Sequence, residues 1–186
     1  MLKEVKEELI NIDLYKEIYN EELKTRSNLD SQIGLPMNLI VILIGVGLFL
    51  FQKHYVNHNN NLYVLLLIKS LFALFGGTLA LSIMYLMKMY LNGFYKYKYL
   101  AISTDLQKKE VEFIKSNKDE TKELKRKAKS KVQTNFDEYL LDCYISISSN
   151  NRVVNDERMK ALHFSKLYLM ISILLIALIG FLIIQK

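Results

Sequence analysis

Three long apolar runs, at residues 36–51, 62–87 and 167–184, set the limits on what this chain can fold into. Only residues 52–61 separate the first two, whereas some eighty residues rich in Lys and Glu separate the second from the third. The last run has no charged residue in eighteen positions, close to the ~20 that cross ~30 Å of hydrocarbon. The second run holds one charge, Lys69. A surface helix of a soluble bundle needs a polar face, and these runs have none. Although 51% of the chain is hydrophobic and 24% is charged, the two classes stand in separate blocks. The expected fold is an all-α membrane protein with three transmembrane helices, an N-terminal amphipathic helix and a helical cytosolic insert.

Four segments follow: a cytosolic amphipathic helix at 1–33, a transmembrane hairpin at 36–91, a cytosolic helical region at 92–165 and a C-terminal transmembrane helix at 166–186. In the first, Leu2, Val5, Leu9, Ile12, Tyr19 and Leu23 recur at helical steps. Gly34 and Pro36 break that helix before the first span, and Pro36 suits a first helical position. The first apolar run follows a long charged lead-in, which argues against a removable signal peptide. The insert has no proline and reads as helical from about residue 105. Turns are expected at Asn117–Asp119 and again near Ser148–Asn151, because Ser and Asn favour turns and caps. Beyond the second turn, residues 153–184 read as one helix that rises into the bilayer.

Sidedness follows from Lys and Arg near the spans. The first 35 residues hold five, the short loop holds Lys53 alone, and residues 92–165 hold fifteen. The N-terminus and the insert are therefore expected in the cytoplasm of a bacterial inner membrane. Tyr85, Tyr90, Tyr95, Tyr97 and Tyr99 suit the inner interface, and Tyr55 and Tyr63 the outer one. Cys143 is the one cysteine, which excludes an intrachain disulfide and a cysteine metal cluster.

Several groups stand out chemically. Lys122, Lys125, Arg126, Lys127, Lys129 and Lys131 form a basic run with Glu123 as its one acid. Lys122, Lys125, Arg126 and Lys129 fall on one helical face, where like charges repel unless an anion neutralises them. The anion is a nucleotide, a nucleic-acid oligomer or an inner-leaflet headgroup, and the plain alternative is a solvated face. Lys69 lies about 10 Å into the second span, where an ionisable group is costly and often lines a water path. Ser70 and Thr78 on the same helix complete a candidate pore lining, against the alternative that Lys69 snorkels outward. Ala73, Gly76, Gly77 and Ala80 suit close helix packing, either on the first span at Gly45 and Gly47 or on a second copy. Packing within the chain is the expected use. Three spans enclose no aqueous path alone, so conduction requires a homo-oligomer.

Arg158 and His163 have the Arg-x4-His spacing of the HEPN ribonucleases. The plain reading makes them interfacial basic residues beside Lys160 and Lys166, with Asn150, Asn151, Arg152, Asn155 and Asp156 as a polar capping and packing cluster. His54 and His58 lack the carboxylates that would make a convincing metal site. No P-loop, Ser-His-Asp set or metal-ligand spacing is present, so the expectation is a non-enzyme without cofactor or metal.

The order of elements resembles the SLATT-type membrane effectors encoded beside nucleotidyltransferases in bacterial defence operons. The resemblance rests on the leading helix, the two-span hairpin with its short outer loop, and the long helical region; the third span is an addition to that pattern. Among such effectors the membrane component of Hailong-type antiphage systems is similar. The resemblance implies an oligomer that damages membrane integrity when a nucleotide or single-stranded nucleic-acid signal changes, with a nucleotidyltransferase as partner. A second resemblance, carried by Arg158 and His163, is to membrane accessory proteins of RNA-targeting CRISPR systems. A membrane-anchored adaptor for a soluble partner is the alternative from a different class, and an HEPN-like nuclease accessory is the third.

Overall fold

The computed structural model describes residues 12–56, 62–100, 106, 108–112 and 122–184, with side chains except at 54–56 and 122–133. Among the described residues every regular element is a helix and no strand is present. Four long helices are α1 (Ile12–Ser31), α2 (Gly34–Val56), α3 (Leu62–Tyr95) and α4 (Lys122–Ile184). Three stretches are long and apolar enough to cross a membrane, Ile12–Lys53, Leu62–Tyr95 and Thr134–Ile184. The apolar runs inside them are those read from the sequence.

The helices outrun the apolar runs. With 23 residues α2 is about 34 Å long, and with 34 residues α3 is about 51 Å, well beyond ~30 Å of hydrocarbon. Helical hydrogen bonding does not stop where the side chains turn polar, so α2 runs through Gln52–Val56, which the sequence reading put in the loop. A turn at Gln32–Ile33 separates α1 from α2, and Gln32 N–H bonds back to Asn28 and Leu29 carbonyls. Pro36 is therefore the third residue of α2, still inside the first turn, where its missing N–H costs little. Leu2, Val5 and Leu9 of the N-terminal stripe, the Asn117–Asp119 turn, and His54 and His58 as a pair lie outside the described residues.

The expected break near Ser148–Asn151 is absent, and α4 runs unbroken for 63 residues. Ser and Asn interrupt helices when their side chains bond to their own backbone. Here Asn150 Nδ2 donates to Lys96 O at 3.0 Å, and Asn151 clasps Lys98, accepting from its N–H at 2.9 Å and donating to its carbonyl at 2.8 Å. With those groups turned to a neighbouring segment, the helix passes through.

The chain divides into two compact units, residues 1–25 with 96–154 and residues 26–95 with 155–186. In the first, Tyr19 and Tyr144 rings meet at 5.6 Å, and Leu141 and Val154 are buried. Tyr97, expected at the membrane interface, is buried and donates to Glu22 O at 2.8 Å. On the exposed segment 108–112, Glu112 accepts from Lys109 at 2.9 Å, and this carboxylate raises Lys109 above the ordinary lysine value.

The second unit is a three-helix bundle. Its core joins Ile40, Leu43 and Leu50 of α2, Ile68, Phe75 and Leu79 of α3, and Leu162, Leu169, Ile176 and Ile183 of α4. The α4 positions recur at seven-residue steps, the period of a helix packed on near-parallel neighbours. Outside this core, Leu66, Leu74, Met84, Leu174 and Phe181 are exposed, which suits hydrocarbon as solvent. Hydroxyls clasp α3 to α4. Thr78 meets Ser172 at 2.8 Å, and Ser82 donates to Ser165 O or Oγ, each at 3.0 Å. Successive contacts ascend α3 while descending α4, so those two helices are antiparallel.

Candidate functional site

At one end of this bundle the apolar core gives way to a charged cluster. Arg158 of α4 is 1% exposed. Its Nε donates to the Met89 carbonyl at 3.2 Å, and Nη2 pairs with Asp30 Oδ1 near the end of α1. Arg26 Nε lies 3.8 Å from the other Asp30 oxygen. Asn92 donates to Glu157 at 3.1 Å, and Lys166 donates to Gln32 at 3.0 Å. Gly93 makes room for the guanidinium: a Cβ there would fall 2.6 Å from Arg158 Cζ. Burying an unpaired guanidinium costs several kcal/mol, so Asp30 and the Met89 carbonyl are what keep Arg158 in place. One donor remains unmet. Arg158 Nη1 is buried without a hydrogen-bond partner, which costs about 1–3 kcal/mol.

Arg26, Asp30 and Arg158 form the polar end of a cleft of ≈ 910 Å³ between α2 and α3. The rest of its wall is almost entirely apolar, including Met37, Val41, Ile83 and Met87. A smaller cleft of ≈ 460 Å³ lies along Gly47 and Phe51 of α2 and Lys69, Phe72 and Ala73 of α3. At Gly47 the helices approach closely, since a Cβ there would fall 2.8 Å from the Phe75 ring.

The residues singled out in the sequence fall into separate places. Lys122, Lys125, Arg126, Lys127, Lys129 and Lys131 occupy the first turns of α4, and their side chains lie outside the described residues. Lys69 is exposed, as is Ser70, whose hydroxyl donates to Leu67 O at 2.7 Å. Thr78 is turned the other way, committed to Ser172 and the Phe75 carbonyl. Ala73, Gly76, Gly77 and Ala80 are all exposed, and a Cβ on Gly76 or Gly77 would meet nothing within 4 Å. Gly76 and Gly77 pack on nothing within the chain, contrary to the expectation, while Ala73 borders the smaller cleft beside Gly47. The close contact of α2 with α3 uses Gly47 against Phe75 instead, because the ring needs a glycine opposite it.

Arg158 and His163 do not share a site. The arginine is buried against Asp30, while His163 is exposed with its ring edge-on to Phe164 at 5.9 Å. Five residues apart on a helix, they point well away from each other. The plain reading of Arg158 as an interfacial basic residue gives way to a buried guanidinium paired with Asp30. Sequence reasoning missed the Asp30–Arg158–Gly93 cluster; the available signal was a glycine at the polar end of an otherwise apolar helix. Among the described residues no group of three His, Cys, Asp or Glu could hold a metal ion. Comparison of the chain with protein-family models, curated proteins and solved structures returns no match.

Proposed function

We propose that this chain is a non-enzymatic, oligomeric inner-membrane effector of bacterial antiphage defence that forms or gates a pore under an anionic signal, a nucleotide or nucleic-acid oligomer. The observation that supports it is the outward face of α3. Lys69, Ala73, Gly76 and Ala80 recur at four- and three-residue steps, so they form one stripe, bordered by Gly77, and all are exposed. Facing lipid, that stripe sets a lysine in hydrocarbon at a cost of a few kcal/mol. Facing other copies, its small residues admit close helix approach and its lysines surround a shared path. The stripe thus accounts for both residue types at once.

In this reading the N-terminus and residues 92–165 are cytoplasmic, on the strength of the Lys and Arg asymmetry. The run from Lys122 to Lys131 meets the anionic ligand, and the ligand acts by preferring one of two states of the assembly. The defence role rests on the resemblance to SLATT-type effectors. The test uses full-length protein in phosphatidylethanolamine–phosphatidylglycerol liposomes. Dye or ion flux is expected under some nucleotide or oligonucleotide condition, and Lys69→Leu alters it. Ala73→Cys in a Cys143→Ser background cross-links copies. Vesicles impermeable in every condition, with a monomer by native mass spectrometry, would remove the reading and leave the adaptor alternative.

A further inference from the structure

We infer that two copies of this chain pair through the outward face of α2, with Asn38, Gly45 and Gln52 of one helix meeting the same residues of the other. The three stand at seven-residue steps and all are exposed, on the side of α2 opposite the buried Ile40, Leu43, Gly47 and Leu50. That spacing is the period of a helix packed along a near-parallel partner, and among the described residues no helix covers that side. Asn38 and Gln52 are fourteen residues apart, about 21 Å along the axis and less than the ~30 Å of hydrocarbon. A membrane crossed by α2 therefore places at least one carboxamide in hydrocarbon, where a polar group without a hydrogen bond is costly. Among the described residues neither side chain has a hydrogen-bond partner. A carboxamide both donates and accepts, so two identical ones satisfy each other. Copies inserted with one orientation hold their α2 helices parallel, which sets each carboxamide at the depth of its own counterpart. Other faces of a second copy do not serve Asn38. Phe51 meets Phe72 and Gly47 adjoins Phe75, so α2 and α3 run antiparallel and Asn38 stands about level with Met84. Gly180 adjoins Leu50, which puts Leu167 and Met170 of α4 near the same depth. These exposed side chains are apolar. Gly45, midway between the carboxamides, lets two backbones approach, since a Cβ there would meet nothing within 4 Å. Val41 and Leu48 on the same face are 70% and 65% exposed and border the two clefts between α2 and α3, so a partner helix covers the mouths of both. The pairing uses a different helix from the α3 stripe and stands whether or not the chain conducts.

Single cysteines in a Cys143→Ser background, with full-length protein in phosphatidylethanolamine–phosphatidylglycerol liposomes, test it. Oxidation is expected to cross-link copies carrying Val41→Cys, Gly45→Cys or Leu48→Cys. Val46→Cys, about 100° round the helix from Gly45, stays monomeric. Förster transfer between labelled copies, read as protein is diluted in lipid, measures the strength of pairing. Asn38→Leu weakens it about threefold, the usual worth of one hydrogen bond between membrane helices, and Asn38→Leu with Gln52→Leu weakens it about tenfold. Gly45→Leu, which meets open space in the isolated chain, abolishes it. Val46→Leu leaves it unchanged. Circular dichroism confirms that each variant is folded. Equal cross-linking of Val46→Cys and Gly45→Cys, undiminished transfer in the double carboxamide variant, or copies that stay monomeric at every dilution overturns the inference. Loss of flux or of Ala73→Cys cross-linking, with α2 pairing intact, removes the pore reading alone.

Discussion

Arg158 on α4 and Lys69 on α3 each put a positive charge on a helix long and apolar enough to cross a membrane. Arg158 is buried, paired with Asp30, bonded to a backbone carbonyl and given space by Gly93. Lys69 is exposed, and among the described residues no carboxylate pairs with it. The first charge is answered inside the chain. The second is left to whatever lies outside it. A charge settled internally holds a fold together, while one left outward shapes what the fold meets.

The sharpest way to break this contrast is at Asp30. Removing one partner of a buried ion pair costs ~3–5 kcal/mol, and Asp30 is half exposed, so Asp30→Ala is expected to destabilise by ~2–3 kcal/mol. Reversible denaturation in detergent measures it; an unchanged stability would mean that water, not Asp30, satisfies Arg158. Lys69→Leu acts in the opposite direction. It eases membrane insertion by up to ~2.5 kcal/mol in a translocon assay, less if Lys69 snorkels. Gly93→Ala drives a methyl into the pinned guanidinium and is expected to cost about 1–3 kcal/mol. Gly76→Ala meets open space and should stabilise the isolated chain by up to ~1 kcal/mol through helix propensity. In an assembly packed through this stripe, Gly76→Leu lowers cross-linking of Ala73→Cys and leaves the isolated chain folded.

The smallest effect concerns Lys109. Its value is raised by Glu112, so the pair's contribution is present below the unfolded lysine value near ~10.4 and fades as pH rises through the folded value. Both side chains are largely exposed, and solvent screens them. Glu112→Gln returns Lys109 to the ordinary range in an NMR titration with no change in fold.

The three apolar runs were legible because hydrocarbon length and side-chain polarity are properties of single segments. Helix ends were less so, since α2 and α3 continue past their apolar runs, first through good helix formers such as Gln52, Lys53 and Lys88. The Ser148–Asn151 break was misread because local preference says turn, while Asn150 and Asn151 have partners at Lys96 and Lys98, some 53 residues earlier. The Arg158 cluster was illegible for the same reason. Asp30 is 128 residues away, and nothing near either residue names the other. The outward turn of Gly76 and Gly77 was also hidden, because spacing says that small residues share a face and not which neighbour the face has.

The hydroxyl contacts between α3 and α4 carry a mechanical consequence. Thr78 with Ser172 and Ser82 with Ser165 are spaced four residues apart on one helix and seven on the other. A slide of α4 by one turn, about 5.4 Å, misaligns both pairs together and leaves hydroxyls facing apolar side chains. The two contacts therefore behave as a detent. One register is favoured, and sliding α4 along α3 gives up both contacts at once.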